Sequence, residues 1–575
     1  MSKKIMVISA IVVLLAGGYW LTQKPSIEIS SSGHGNSTLL ARVPADTAWF
    51  LGGLKNMPLI NPYDKDSTQI IKTYTKDSFS QLETSAIGFK SPAFSMLMSL
   101  YLQALDEIYT DTKKEMNAFA FYSLGIYPVV AWQSTAPNEF LAQLDSIEKE
   151  NNITATRFSL GKANYREYEI SKDLPIKLYI TVNDNIVSLG TTSKNEKILK
   201  LLAGTELPER SLSDSDKLSN IITRHKLLPY ALFYFDANLA MQNAASSDDN
   251  LLKQSIAEVS NSKVLDNIIK DACFADIASI ISRWPKMVFG YRKLDYANNP
   301  INMEGALIFE NTDAQFLSSL KSVSGLIPEY SFKQDILSFG LGINVDNLAS
   351  FISDFRQSVI NENYQCKGLV EIQSAFKQFN PAMIAMSTQM LSGVKGVAMN
   401  LTKLDAIAAS KGDISATEGM LTILSSNPKN LLLAAGNFYP PLAQMTLNPD
   451  GSSQPLSLPN GVAASVSMSD NALVLLLGNS AESKQRITAI HKGEGLSPAL
   501  FEVGLNFSSY LKILKPLMDK FSPQSLNKDM EQLENMKQMF TILEKLNMRF
   551  SYMLTVESKG IVLSFKIKMD NNHNN

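Results

Sequence analysis

A mostly apolar stretch extends from Ile5 to Leu21 near the start of the chain, and no charge falls among these 17 residues. As a helix they would span about 25 Å, at the lower end of what crosses a bilayer. Lys3 and Lys4 precede them and favour a cytoplasmic N-terminus, so the rest of the chain would be exported. The pattern therefore predicts one N-terminal transmembrane helix.

A cleaved signal peptide is the alternative interpretation of this stretch. Ala16 and Gly18 offer small residues before a cut, but the bulky Tyr19 and Trp20 would crowd it. The aromatic pair is instead typical of residues that anchor a helix at a membrane interface. We therefore favour an uncleaved anchor.

Polar residues rich in Ser and Gly come next, which is typical of a flexible tether. Beyond the tether, apolar residues alternate at strand spacing in some segments and recur at helical spacing in others. The main predicted strands lie at 47–51, 118–132, 156–189, 230–235, 287–291, 301–309 and 338–345. The main predicted helices lie at 91–108, 138–148, 198–202 and 376–391.

The clearest pattern is at the C-terminal end, where a helical stripe is followed by two alternating segments and a turn at Ser558-Lys559-Gly560. The stripe consists of Leu533, Met536, Phe540 and Leu543. The apolar positions of the two segments are Phe550, Tyr552, Leu554 and Val556, then Ile561, Leu563, Phe565 and Ile567. The alternation predicts an antiparallel hairpin with one buried face.

Two stretches of the chain, around 116–240 and 430–515, carry similar features in the same order. Each has a Tyr-Pro pair, an Asp-Asn pair that predicts a hairpin turn, a strand, a glycine, a helix and a second glycine. These features are Tyr127-Pro128, Asp184-Asn185, Gly190 and Gly204 in the first stretch, and Tyr439-Pro440, Asp470-Asn471, Gly478 and Gly493 in the second. A further echo pairs 287–291 with 548–552. We therefore predict an internal repeat.

The predicted fold class is α+β, with tandem repeated domains of mostly antiparallel sheet and packed helices, preceded by one N-terminal transmembrane helix. A chain of 575 residues is too long for one ordinary core. The predicted organisation is an anchor at 1–22, a tether at 23–42, a first α+β domain at 43–245, a middle α+β region at 246–400, and a second copy of the unit with the C-terminal hairpin at 401–570.

Composition narrows the class of protein. The apolar fraction of 45% and the charged fraction of 19% are globular values, so the exported part is expected to fold. Lys plus Arg, 53 residues, nearly balance Asp plus Glu, 55 residues. This balance argues against nucleic acid as a partner, because nucleic acid requires a concentrated basic surface.

The chain has two cysteines, Cys273 and Cys366, 93 positions apart. An exported body would hold both in an oxidising compartment, where one disulfide can form. Two buried free thiols are the alternative, and the sequence does not separate the two.

No catalytic, metal or nucleotide signature stands out, so we expect no cofactor and lean towards a non-enzymatic protein. The four histidines are far apart, and the HExxH, CxxC, GxSxG and phosphate-loop motifs do not occur. Ser509 and Lys512 match S-x-x-K, but the companion K-T-G is missing and the match is expected by chance. Gly340-Leu341-Gly342 lacks the third glycine of a dinucleotide loop and is better explained as a glycine within a strand.

A methionine stripe at Met383, Met386 and Met390, with Phe376 and Phe379 beside it, has two interpretations. Methionine is flexible enough to line a pliable site for an apolar ligand. Core packing of a helix produces the same stripe and is the simpler interpretation.

The anchor, the tether and the segment V-P-A-D-T-A at 43–48 together resemble an uncharacterised bacterial envelope family, a domain of unknown function. The later segments YPVVA at 127–131 and FYFDANLA at 233–240 are also similar to that family. The likeness covers about half of the chain. It implies an envelope protein without an assigned activity, and it transfers no site residues.

From these observations we expect a non-enzymatic binding or scaffolding protein in the inner membrane, with a single pass, its body in the periplasm and an unidentified envelope protein as partner. A carrier or chaperone for lipid or apolar peptide is the first alternative, and an unrecognised hydrolase is the second. A large apolar cavity would favour the carrier. A cleft that joins Ser509 and Lys512 to an oxyanion site would favour the hydrolase.

Overall fold

A computed structural model describes the protein at 37–55, 57–58, most of 93–100, 115–116, 118–170, 176–259, 267–295, 299–333, 335–411, 413, 415–458, 462–520, 547–570 and four positions between 540 and 545. The predicted anchor, most of the tether and most of the helical stripe that begins at Leu533 lie outside these residues. Within the described part of the chain, no helix is both long enough and apolar enough to cross a membrane.

Two compact units divide the chain, the first at 1–293 and the second at 294–575. Each unit contains a large antiparallel sheet with packed helices, so the predicted α+β class with mostly antiparallel sheet is confirmed. The limit between the units falls inside the stretch at 246–400 that the sequence pattern assigned to a middle region.

Unit 1 is built on a sheet with the strand order β11-β10-β1-β4-β5-β9-β8-β7-β6. Its strands are β1 (Trp49–Gly53), β2 (Met57–Pro58), β3 (Glu115–Met116), β4 (Phe119–Leu124), β5 (Tyr127–Gln133), β6 (Thr156–Leu160), β7 (Ala163–Glu169), β8 (Lys177–Asn183), β9 (Ile186–Thr192), β10 (Leu232–Asp236) and β11 (Lys286–Asp295). Its described helices are α1 (Ser37–Leu40), α2 (Pro137–Glu150), α3 (Glu196–Ala203), α4 (Lys217–His225), α5 (Ala237–Ala245), α6 (Leu251–Val259) and α7 (Ala272–Arg283).

Unit 2 is built on a sheet with the strand order β12-β23-β22-β21-β14-β15-β16-β19-β18-β17. Its strands are β12 (Ile301–Glu310), β13 (Gly325–Pro328), β14 (Leu337–Leu341), β15 (Val394–Lys403), β16 (Glu418–Ser425), β17 (Asp450–Ser457), β18 (Ala463–Ser469), β19 (Ala472–Leu477), β20 (Leu496–Ala499), β21 (Phe501–Asn506), β22 (Arg549–Glu557) and β23 (Gly560–Met569). Its described helices are α8 (Ala314–Val323), α9 (Val345–Ile360), α10 (Lys367–Gln378), α11 (Pro381–Gln389), α12 (Ala406–Ala409), α13 (Pro428–Gly436), α14 (Pro440–Ala443), α15 (Ala481–His491) and α16 (Phe507–Lys520).

The two strand orders correspond, and the Asp-Asn turns mark the match. Asp184-Asn185 joins β8 to β9, and Asp470-Asn471 joins β18 to β19, so both pairs form the predicted hairpin turn. In the first turn both residues adopt the left-handed backbone, with φ of 50° and 60°. In each unit the strand after the turn pairs with the strand that precedes a helix, β9 with β5 and β19 with β16.

A second shared feature fixes the residue correspondence at the end of β5 and of β16. Ser134 and Ser425 each accept a hydrogen bond at the hydroxyl from the amide two residues further on, at 3.3 Å and 3.0 Å. Their own amides donate to the carbonyls of Asn185 and Asn471. The helix that follows begins with proline in both units, at Pro137 and Pro428, because proline needs no amide partner in a first helical turn.

Three predicted details are wrong. The two Tyr-Pro pairs do not correspond, because Tyr127-Pro128 begins β5 whereas Tyr439-Pro440 begins helix α14. Two prolines in succession cannot donate hydrogen bonds to a strand ladder, but they are well suited to a first helical turn. The predicted helix at 376–391 is two helices, because Pro381 starts a new one. The predicted strand at 338–345 ends at Leu341, and Val345 begins α9.

The two sheets differ in how their faces are covered. In unit 1 nearly every residue of the central strands β4, β5 and β9 is buried, so both faces are covered there. In unit 2 one face packs against α15, where Ile487 and Ile490 contact Met420, Leu424 and Val474. The other face is apolar and largely exposed.

The last strand of the second sheet, β17, pairs only with β18 among the described strands. Its pairing is irregular between Asp450 and Ser453, and Pro455 lies in the middle of the strand. Proline removes one backbone donor from the strand. This strand is therefore an interrupted edge.

Candidate functional site

Most candidates from the sequence have structural explanations. Asn506 caps α16 by accepting a hydrogen bond from the Ser509 amide at 3.1 Å, and Lys512 is exposed one turn later. Gly340 lies within β14, where an added Cβ would come within 3.2 Å of Ile327, as expected for a strand glycine. In the described part of the chain, no three or more His, Cys, Asp or Glu residues are grouped to hold a metal ion.

Both cysteines are disulfide-bonded, and since the chain has only two, Cys273 is bonded to Cys366. Cys273 lies in the first turn of α7, and Cys366 caps α10. The pair cross-links the chain, and neither sulfur is available as a nucleophile.

The methionine stripe does not pack in a core. Met383, Met386 and Met390 are all strongly exposed, and Met386 is 75% exposed. Core packing, the simpler interpretation, is therefore wrong for these three residues.

The largest feature of unit 2 is the exposed face of its sheet, which we call the open face. Its side chains form cross-strand rows that are apolar from end to end. One row, from β19 to β23, is Leu475, Leu421, Met399, Phe339, Val503, Tyr552 and Phe565. The next row, from β19 to β12, is Leu473, Ile423, Val397, Leu341, Phe501, Leu554, Leu563 and Leu307.

Apart from the buried Leu473, the residues of these rows are exposed or half-buried, with Met399 at 52% and Phe339 at 45% exposure. At about 4.8 Å between strands, the longer row extends over roughly 34 Å. An exposed apolar patch of this extent is unusual for a soluble domain and marks an interaction site.

Polar residues on the same strands lie on the covered face instead. Ser338, Asn400, Thr422, Glu502 and Ser551 alternate with the exposed apolar residues and are all buried. The usual arrangement of a half-covered sheet puts apolar residues against the core and polar residues in water. The centre of this sheet has the reverse arrangement, with its apolar side chains on the open face.

A hydrogen-bonded cluster holds two of these buried polar residues, Ser338 and Asn400. Arg486 donates to both carboxylate oxygens of Asp335 at 2.7 and 2.8 Å, and Asn400 donates to Asp335 and to Ser338. Burial raises the pKa of Asp335, and the Arg486 charge opposes that shift. Burial also raises the pKa of Glu502 to about 7.

A pocket of about 290 Å³ lies at the β19 end of the open face. Helices α13 and α14 form one wall with Leu432, Ala435 and Leu442, and strands β16 to β19 form the other with residues such as Ile423 and Leu473. The only polar side-chain group among the lining residues is the Tyr439 hydroxyl, which donates to the Ser457 carbonyl at 2.7 Å. The volume is about twice that of an engineered cavity that binds benzene, and near the lower end for ligand pockets.

Unit 1 shows why the pocket exists in unit 2. Trp132 and Phe140 contact each other edge to face at 5.6 Å in unit 1, and both are fully buried together with Leu144. Counted from the helix-starting prolines, their counterparts in unit 2 are Ile423, Leu431 and Ala435. Each counterpart is smaller, so the space that is filled in unit 1 is left empty in unit 2.

Helix length adds to the difference. Helix α2 has 14 residues, whereas α13 has nine and ends at Gly436. A Cβ at Gly436 would lie 2.8 Å from the Cβ of Ala443, so glycine is needed where α14 folds back against α13. The two short helices therefore roof the pocket without filling it.

A polar cleft of about 620 Å³ in unit 1 is the second candidate. Pro44, Ala45 and Asp46 of the V-P-A-D-T-A segment line it, as does Lys217. The Lys217 ammonium lies 3.8 Å from Asp236 and 4.4 Å above the Tyr234 ring, and burial lowers its pKa to about 8. Because it also donates to the Thr47 carbonyl at 3.3 Å, this lysine ties α4 to β1 and β10.

Neither a family model, nor a curated protein, nor a solved structure matches this chain. The site must therefore be interpreted from its own geometry.

Proposed function

We propose that the chain is a non-enzymatic binding protein of the cell envelope, and that unit 2 holds the acyl chain of a lipid. The observation that carries the proposal is the apolar open face of the sheet, whose central strands have buried polar side chains on the opposite, covered face. An acyl chain matches a site that offers almost no hydrogen-bonding groups, because burying unpaired polar atoms costs free energy. The apolar pocket at the β19 end would receive the end of that chain.

The same proposal places the protein in the inner membrane, with a single pass and its body in the periplasm. Lys3 and Lys4 before the apolar stretch, and Tyr19 with Trp20 at its far end, support this orientation. The disulfide state of both cysteines is consistent with an oxidising compartment. The resemblance to an uncharacterised envelope family agrees with this location.

We also infer that the two units are copies of one folding unit. The matched strand orders, the Asp-Asn turns and the shared Ser-x-x-Pro segments support a duplication. After it, one copy kept a filled core at the helix following the proline and the other acquired a pocket there.

A protein partner is the second candidate, because the exposed methionines of α11 offer an adaptable apolar surface. It differs from the lipid proposal in that a protein would bind outside the pocket. Filling the pocket would leave a protein partner bound.

The pocket can be filled with the residues of unit 1 by the substitutions Ile423→Trp and Ala435→Leu. Cells that make the full chain would be fed a fatty acid carrying a diazirine and an alkyne, then irradiated, and the crosslinked peptides of the purified chain mapped by mass spectrometry. We expect label in the wild type within 418–475 and at least a tenfold loss in the filled variant, because the added side chains occupy the ligand volume.

The matched control is Ala434→Leu, which makes the same substitution on the same helix outside the pocket lining. It should keep wild-type labelling. Equal labelling of the filled variant and the control would refute the proposal of an acyl chain in this pocket.

A further inference from the structure

The most exposed large apolar side chain of the described residues is Phe438, at 86%. It lies at the turn between α13 and α14, directly before Tyr439, which lines the pocket. Leu433, on the adjoining helix, is also exposed. Two large apolar side chains therefore project into solvent at the roof of the apolar pocket.

The fold does not force this exposure. The position in unit 1 at the same distance from the helix-starting proline is Ile147, which is fully buried. In unit 1 the helix continues through that position, so its apolar side chain packs inward. In unit 2 the helix ends at Gly436, and Phe438 is released to the surface.

The segment around Phe438 carries basic charge but no acidic charge. From Gly419 to Pro449 the chain has no acidic residue, and its one basic residue, Lys429, is exposed one turn before Leu433 on α13. We call the exposed side chains of Phe438 and Leu433 the tip. Together with Lys429, one turn before Leu433, and with no carboxylate nearby in the sequence, the tip is complementary to an anionic lipid surface.

We infer that the turn between α13 and α14 inserts Phe438 into the surface of a bilayer that contains anionic phospholipid. This inference rests on the proposed lipid binding and specifies how the ligand arrives. With the tip inserted, Tyr439 and the pocket that it lines lie next to the bilayer, so an acyl chain has a short path to the pocket. Lys429 pairs with a lipid phosphate and sets the depth of insertion.

Insertion can be measured at the tip itself. The full chain carrying Phe438→Cys would be labelled there with an environment-sensitive fluorophore, since both native cysteines are bonded, and reconstituted into vesicles of phosphatidylethanolamine and phosphatidylglycerol. We expect emission at shorter wavelength and strong quenching by a phospholipid spin-labelled near the top of its acyl chain. Vesicles of phosphatidylcholine alone, or the added substitution Lys429→Glu, should reduce the quenching several-fold.

Two other exposed positions serve as controls. Leu207→Cys in unit 1 and Met386→Cys on α11 replace side chains that are also strongly exposed, and their fluorophores should remain in water. Equal quenching at all three positions, or at none of them, would overturn the inference.

The outcome also separates this inference from the proposed function. If the filled pocket abolishes fatty-acid crosslinking but the fluorophore at position 438 stays in water, lipid binding holds and docking at this tip is wrong. If the fluorophore inserts but the filled variant keeps its crosslink, the tip docks and the pocket is not the lipid site. Because position 438 is exposed, its substitution leaves folding intact, which a thermal melt would verify.

Discussion

Hydrogen bonds from individual residues stabilise polar groups on the covered face of the sheet of unit 2. A buried polar group destabilises the fold unless it is hydrogen-bonded, and the two buried carboxylates have partners. Glu502 accepts from the Tyr330 amide at 3.1 Å, and Asp335 accepts from Arg486, Asn400 and the Ser331 amide. Two buried atoms of the same face, the Asn400 amide oxygen and the Thr422 hydroxyl, have no hydrogen-bond partner among the described residues, so the cluster is only partly satisfied.

Glu502 gives a prediction about pH. Its pKa is raised from 4.5 to about 7 by burial, so between these values the unfolded chain has lost the proton and the folded chain retains it. The free energy of unfolding should therefore fall as the pH rises from about 4.5 to 7, by a total on the order of 3 kcal/mol from this group. Glu502→Gln should remove that part of the dependence.

The measurement is urea unfolding of the wild type and Glu502→Gln at pH 5 and at pH 8. The difference in stability between the two proteins should change with pH in favour of the variant at pH 8. A difference that is the same at both pH values would contradict the assigned pKa. Other titrating groups are common to both proteins and cancel in the comparison.

Elements that occupy the same place in the two units differ in what they do. Helix α2 covers its sheet with Phe140, Leu144 and Ile147, all fully buried. Helix α13, which starts from the same turn, leaves a pocket because its residues are smaller and it ends after nine residues. One supersecondary pattern thus supports a packed core in one place and an apolar pocket in the other.

Reciprocal substitutions on these two helices should have opposite effects. Leu144→Ala removes a fully buried side chain and should destabilise the protein by about 2–5 kcal/mol. Ala435→Leu fills an existing cavity and should be neutral or stabilising by about 0.5–2 kcal/mol. Calorimetric melting of both variants beside Ala434→Leu would check this, and destabilisation by Ala435→Leu equal to that of Leu144→Ala would show that the pocket does not exist in solution.

The sequence allowed prediction of the elements better than of the site. Alternation at Phe550–Val556 and Ile561–Ile567 correctly predicted the hairpin β22–β23. The same alternation wrongly predicted a buried face, since Tyr552 is exposed and Phe550, Leu554 and Phe565 are only half-buried. Alternation reveals that one face of a strand is apolar, but what covers that face depends on distant helices. The pocket could not be predicted from the sequence. It exists partly because Ile423 stands where unit 1 has Trp132, and only the strand pairing shows that these two residues correspond.

At the scale of the whole molecule, the disulfide between Cys273 and Cys366 constrains the chain. A disulfide that closes a loop of 94 residues stabilises the fold by about 4–5 kcal/mol in the chain-entropy model. The same bond would not persist in a reducing cytoplasm. If the chain is exported as proposed, the bond between Cys273 and Cys366 links the stability of the fold to export.

This link can be tested by mapping thiols in cells that make the full chain and in cells that make it without 1–22. Non-reducing digestion should yield the bridged peptide of Cys273 and Cys366 from the full chain. Without the N-terminal stretch the two cysteines should be freely alkylated, because the body would stay in the cytoplasm. Free thiols in the full chain, or a bridge in both proteins, would contradict export by this stretch.

The interrupted edge at β17 has a consequence for aggregation at high protein concentration. Stacked fibrils require a regular strand with free backbone groups and an apolar surface on which further sheets can layer. The open face supplies such a surface, and an unbroken β17 would supply the strand. Pro455 and the irregular pairing between Asp450 and Ser453 interrupt that strand, so we expect the exposed apolar sheet not to seed aggregation through this edge.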